Sequence, residues 1–358
     1  MPVCATAAVN GAGLSSHQTW AFWRAELTPF AESPFRCSNG QRATMAHLQT
    51  LPVRCVGAER LLRLGRKAFS QLSPLLDRLP GESRVALAVG LSDRLAEQSD
   101  PLLTQHRRQV ESELSAWLRA KFPHGIARFV PRGHASFAVA LVEACSALSA
   151  RSLDLAIVGG METYYDPIAV RELVRQQRLF DLEDMDSMIP GEGAAFLLLA
   201  RRDVMRHLSL PCLAQIEAAA TDEEPGSMLS EVPCLAQGLS RAMRAITVRM
   251  KAERRQLEWV IGDVTNEEYR SHEWGLALPR SIAPGGLDTA GKDFFQVAVD
   301  RLRYDFIPEC FGDLGAASMA TAAVLAIESF GRGDPAERNC LITGSSVTRD
   351  RGAVLVTA

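Results

Sequence analysis

Two stretches constrain the fold more than any others: GHASFAVALVEACSALSA, residues 133–150, and GAASMATAAVLAIESF, residues 315–330. Each opens on a glycine and continues in alanine, serine and aliphatics, with Glu143 and Glu328 as the only acids. A helix that is small and apolar all round is predicted to be buried on every side. Each is followed by a loop and an apolar strand with glycine near its end, LDLAIVGG and CLITGS. One such unit lies in each half of the chain. The repetition predicts an internal duplication, residues 1–208 and 209–358, with the two buried helices meeting at the centre.

Nine apolar runs read as strands: VCATAAV, RVALAVGL, IARFV, LDLAIV, AAFLLLA, LAQIEAAA, EWVIGD, CLITGS and GAVLVT. Most do not alternate with polar residues, the pattern of strands covered on both faces. Amphipathic helical stretches lie between them. Trp20, Trp23 and Leu27 form one stripe, and Leu61, Leu64, Ala68, Leu72 and Leu75 another. Alternation of this kind predicts an α/β fold with mainly parallel sheets and helices on their faces.

Charge and composition exclude several functions. The net charge is −3, and arginines are scattered over helix faces, which argues against a nucleic-acid partner. No segment reaches the roughly 20 apolar residues of a membrane span, and the N-terminus lacks a basic leader. The eight cysteines form no C-x-x-C or zinc-type spacing and read as free thiols in a reducing, cytoplasmic setting. Gly191-Glu192-Gly193 has not the spacing of a phosphate loop, and the acids of Glu183–Ser187 read as a solvated loop before a metal site. No cofactor or metal is expected.

In this order and spacing, several motifs resemble the thiolase fold and, within it, the β-ketoacyl synthases. They are DLAIVGGMET, then Phe180-Asp181 leading to Gly191-Glu192-Gly193-Ala194, then DLGAAS at 313–318, and the closing GSSVTRDRGAVLVTA. The resemblance implies a nucleophilic cysteine at the first buried helix, where the helix dipole favours a thiolate. It also implies two histidines from the second half. Carried over, the cysteine position holds His134, and the histidine positions hold Asp263 and Gly312. The resemblance therefore implies a degenerate member lacking the catalytic Cys-His-His. Ser136, two residues beyond His134, has no evident base, and His134 reads as filling the vacated site and capping free N–H groups.

Three functions follow as expectations. The first is an adaptor or chaperone for a protein partner, because the TNEEYRSHEWGLAL segment resembles ketosynthase-like accessory proteins of type VI secretion effectors. The second is a non-catalytic, chain-length-factor-like subunit of an active ketosynthase. The third is altered acyl chemistry through Ser136 or His134. NEEYRSHEWG reads as a loop lining the partner surface, with Tyr269, Arg270 and Trp274 at or near it. Charge reversal at Arg270 is expected to weaken binding without unfolding. The edge strand Ile126–Val130 is expected to pair with a second copy or with the partner.

Overall fold

The computed structural model describes residues 1–96, 100–183, 185–253, 255–282, 302–333 and 337–358. In the first half come β1 (Pro2–Asn10), α1 (Ser16–Arg24), a hairpin of β2 (Phe30–Arg36) and β3 (Arg42–Ala46), and α2 (Gly57–Leu76). They are followed by β4 (Val85–Leu91), α3 (Pro101–Lys121), β5 (Ile126–Pro131), α4 (Ser136–Ser149), β6 (Leu155–Thr163), α5 (Pro167–Arg175), β7 (Glu192–Ala200) and α6 (Arg202–His207). The second half holds β8 (Ala214–Glu223), α7 (Gln237–Ala252), β9 (Trp259–Gly262), α8 (Glu268–Ile282) and β10 (Arg303–Phe306). It closes with α9 (Ile307–Phe311), α10 (Ser318–Arg332), β11 (Asn339–Ser345) and β12 (Asp350–Thr357).

Ten strands share one sheet, in the order β10-β9-β11-β12-β8-β1-β7-β6-β4-β5. Leaving out the β2–β3 hairpin, the sheet strands of each half, counted in chain order, take the same positions: third, second, fourth, fifth, first. In each half the fifth strand, β7 or β12, runs antiparallel to both neighbours. The first strands, β1 and β8, join the halves through two antiparallel residue pairs. The nine apolar runs all fall on these strands; the hairpin and the short β10 carry no comparable apolar signal.

The glycine-opened turns Gly133–Ala135 and Gly315–Ala317 are single 3-10 turns that lead into α4 and α10 and touch each other at the centre. Approach to the sheet is close: a Cβ on Gly160 would lie 1.9 Å from the Ala316 carbonyl oxygen, so only glycine fits there. α10 is buried along nearly its whole length, as its composition predicts. α4 is not. It packs on β4, β6, β8 and β12 but leaves Val142, Glu143 and Ser146 exposed, because no element of the described chain covers that side. The exposed face adjoins β5, which has a single strand neighbour, β4. An open groove of about 550 Å³ runs there, lined by Phe129, Arg132, Val139, Glu143 and Asp350 among others.

Candidate functional site

The turn before α4, the link before α10 and the end of β9 converge where the halves meet, presenting His134, Asp313 and Asp263. α8 lays a further set over them. Glu267, Arg270 and Glu273 recur at helical spacing on its inner side and are 4%, 2% and 1% exposed. Arg270 is the hub. Its Nε donates to Glu267 Oε2 at 3.2 Å, and its Nη1 donates to Asp263 Oδ2 at 3.1 Å and to the Ser345 carbonyl at 2.7 Å. Its Nη2 lies 3.2 Å from His134 Nε2 and 3.7 Å from Asp313 Oδ2. His134 Nε2 is 2.7 Å from Asp313 Oδ1, which also accepts the Gly315 N–H at 2.7 Å.

The electrostatics follow from this packing. Burial pushes the Asp313 carboxyl up, but His134 and then Arg270 and the Gly315 N–H outweigh it and hold it well below the usual range. Asp313 is thereby favoured as the carboxylate, with Oδ1 accepting the Gly315 N–H. Burial acts on Glu267 in the same sense and is outweighed by Arg178, whose Nε donates to it at 2.6 Å, and by Arg270, so this acid too is held low. On the far side Ser345 Oγ donates to Glu273, which accepts Arg351 Nε at 2.7 Å, and Arg351 reaches the Tyr269 hydroxyl. One continuous buried network thus joins Arg178 to Tyr269 through the place where the resemblance puts a reaction chamber.

What this arrangement can do chemically is limited. Ser136 is fully buried; its Oγ donates to the Leu91 carbonyl at 3.2 Å and accepts the Arg132 N–H at 3.1 Å, and neither partner is a base. Gly312 has φ 66° and ψ −177°, a conformation essentially confined to glycine. A Cβ there would lie 2.7 Å from the Ile189 carbonyl oxygen, so no histidine can occupy the position without moving backbone. Neither the groove beside β5, the surface hollow on α3 nor the small hollow beside Glu162 has His134, Asp263, Arg270 or Asp313 in its walls.

Several expectations are corrected. His134 does fill the centre, but it caps nothing: its ring turns to Asp313, and the Ala135 N–H is received by Ser346 Oγ at 3.0 Å. The segment expected as a polar loop is the start of α8. Arg270 is inside, not on a partner surface, because three carboxylates and a carbonyl draw its guanidinium inward. Charge reversal there strikes the core. Trp274 is half-buried, packed edge-on against Phe306 at 5.6 Å within the apolar layer under α7 and α8. Tyr269 is also half-buried, its hydroxyl donating to the Gly226 carbonyl at 2.7 Å.

Sequence reasoning missed Asp313, Glu267 and Arg178, and likewise Arg60, which pairs with Glu192 at 2.6 Å with both side chains fully buried. A signal was present. Arg60 stands one turn before Leu64 on the apolar stripe of α2, and Glu267-Arg270-Glu273 form a charged stripe at helical period. Charge on an inward face requires a buried partner. Within the Glu183–Ser187 loop, Asp184 lies outside the described residues. The metal-type grouping among the described residues is Glu224, Cys234 and Glu273. Its carboxylates are already occupied, Glu224 by the Gly238 N–H and Glu273 by Arg351 and Ser345, and burial pushes the Cys234 thiol up.

The family model for beta-ketoacyl synthase, N-terminal domain, matches residues 125–204. No curated protein sequence matches the chain. Among solved structures, a chain of the AntDE:AntF complex, a type II polyketide-synthase acyl-carrier protein with its ketosynthase, is 12% identical at TM-score 0.78, covering 100% of this chain and 98% of that one. The ketosynthase from module 6 of the bacillaene synthase of Bacillus subtilis 168 is 13% identical at TM-score 0.76, covering 99% of this chain and 71% of that one. A chain from the ketosynthase ApeO in complex with its chain length factor ApeC from Xenorhabdus doucetiae is 16% identical at TM-score 0.74, covering 100% and 98%. These likenesses establish the thiolase-like ketosynthase fold over the length of the chain.

Proposed function

We propose that this chain is a ketosynthase-fold protein without condensing activity that works by holding a protein partner, as an adaptor or chaperone of the kind that accompanies type VI secretion effectors. The observation that carries the reading is the buried ion network where a nucleophile and two histidines would stand. His134, Asp263 and Gly312 supply no thiolate and no pair of imidazoles, and Arg270 with Asp313 fills the space between them. Fold alone does not assign function, so the lost chemistry outweighs the shared architecture. Eight free cysteines fit a reducing cytoplasmic site of action. No helix among the described residues is long and apolar enough to cross a membrane.

A second reading, a non-catalytic subunit paired with an active ketosynthase, is favoured by the open β5 edge. Ile126 on β5 is 52% exposed and Val142 on the uncovered side of α4 is 40% exposed. An unpaired apolar edge invites a strand from a partner or from a second copy. Acyl chemistry is tested by incubation with acyl thioesters and malonyl thioesters. The intact mass is expected to stay unchanged and no carbon dioxide to be released; a stoichiometric adduct on Ser136 or His134 would overturn both readings. Affinity purification from the native host, with identification of what is retained, then separates a secreted cargo from a ketosynthase subunit.

A further inference from the structure

The inner side of α8 belongs to the ion network, which leaves its outer side, Glu268, Ser271, His272 and Gly275, facing solvent. Two loops are pinned along it. Residues 185–187, with 181–183 before them, are tied to α8 by the Glu268 N–H donating to Asp186 at 2.6 Å. Residues 225–235 are held by the Tyr269 hydroxyl on the Gly226 carbonyl and by His272 Nε2, 3.3 Å from the Cys234 carbonyl oxygen. The loops expose large apolar side chains: Leu182 is 77%, Met185 62%, Leu229 58%, Val232 53% and Leu235 52% exposed. These are five of the fourteen large hydrophobic residues exposed among the described ones. Two loops tied to one helix thus carry five of these side chains, and gathered apolar exposure of that kind, unlike scattered exposure, marks an interaction surface.

The charge on this face names the occupant. The described residues of the two loops contain four acids, Asp181, Glu183, Asp186 and Glu231, and no lysine or arginine, and Glu268 adds a fifth acid between them. Exposed cations at its border are Arg280, three helical turns beyond Glu268, Arg349, whose carbonyl accepts the Glu224 N–H where the second loop begins, and Arg241, whose charge is already paired with Asp222. Apolar side chains set among acids are repelled by an anionic membrane surface and by a second copy of the same face. They are complementary to apolar side chains set among lysines and arginines.

We infer that the outer side of α8 and its two flanking loops dock a cationic amphipathic segment of a protein partner. The inference rests on the adaptor reading and gives the chemistry of what the adaptor holds. The probe is an amphipathic peptide of leucine and lysine, with leucine–glutamate and serine–lysine peptides of equal length as controls. Binding is followed by fluorescence anisotropy on the full chain. Wild-type protein is expected to bind the leucine–lysine peptide alone, and Leu182→Ser/Met185→Ser/Leu229→Ser to bind it about tenfold or more weakly with an unchanged melting temperature. All three positions are exposed, so the variant keeps its core. Equal binding by wild type and variant, or equal binding of the glutamate peptide, overturns the inference. So does a wild-type dimer that dissociates in the variant, or attachment to neutral vesicles that the variant loses. An acyl adduct in the mass experiment with peptide binding intact would remove the proposed function and leave the docking surface. Silence in that experiment without peptide binding would do the reverse.

Discussion

Replacing Arg270 by methionine tests whether the centre of the molecule is an ionic core or a reaction chamber. The guanidinium pairs with Asp263 and lies against Asp313, and it shares Glu267 with Arg178. Methionine keeps most of the volume and removes the charge, leaving three buried carboxylates against Arg178 and His134. Breaking a buried pair from one side costs about 3–5 kcal/mol, since the abandoned charge remains out of water. At about 2 °C per kcal/mol for a chain of this size, the melting temperature should fall by roughly 6–10 °C. Arg175→Met is the control. That side chain is 70% exposed and pairs with Glu172 on the same helix, and its loss should leave the melting temperature unchanged. Adding Asp263→Asn to Arg270→Met should restore part of the loss, because the two changes remove opposite charges from one network. Differential scanning fluorimetry and urea titration read all four proteins. A loss under about 1 kcal/mol for Arg270→Met would refute the buried-network reasoning and return Arg270 to the surface.

Gly312→Ala should destabilise by about 1–3 kcal/mol, because its φ of 66° with an extended ψ is closed to a Cβ; an unchanged urea midpoint would contradict the assigned backbone. Asp313 and Glu267 have carboxyls held below their ordinary values, so the stability they contribute is complete above about pH 4–5 and is lost as pH falls toward the folded values. Asp313→Asn should therefore make acid unfolding curves shallower between about pH 5 and 2. Glu162 works in the opposite sense: burial, only partly offset by Arg94, raises its carboxyl, so its contribution declines as pH rises through that raised value. His134→Cys should give a thiol with no condensing activity, since neither histidine position is refilled; turnover in a condensation assay would show those positions to be misassigned. If the chain pairs through β5, Ile126→Lys should weaken that pairing in sedimentation velocity without lowering the melting temperature, because Ile126 is already 52% exposed.

The strands and the two central helices were legible because burial on both faces writes itself as unbroken apolar runs. LDLAIV and AAFLLLA became β6 and β7 with every residue of both strands buried. The β2–β3 hairpin was not legible: its residues FAESPFR and RATMA mix apolar and charged side chains on a strip lying outside the main sheet. α4 was over-read, because composition states that a helix can be buried and not whether a neighbour exists to bury it. α8 was under-read for a related reason. Its polar residues look like loop until Glu267, Arg270 and Glu273 are seen to share one inward side, paired with Asp263 just upstream and with Arg178 and Arg351 from distant parts of the chain. Long-range charge pairing leaves no local periodic signature.

The same geometry explains why the departures from the synthase pattern are concentrated in a few turns. Two helix starts and a strand end point their N–H groups and side chains into one small volume, which suits either a reacting thioester or a set of mutually neutralising charges. A carboxylate at 313 is tolerated there because it accepts the Gly315 N–H and lies against His134 and Arg270, and His134 sits where the resemblance places a thiol. Asp263 in turn accepts the Ser345 N–H at 2.8 Å and Arg270 Nη1, so the position matched to the first histidine now anchors the arginine. Arg270 ties these positions together, pairing with Asp263 and lying against His134 and Asp313. Reversal of one alone leaves a buried charge unpaired, at a cost of several kcal/mol. The centre is thus locked into its ionic form by the coupling between its parts, and what remains free to vary is the solvent-facing side of α8 and the edge at β5, the two surfaces on which the proposed partner contacts are placed.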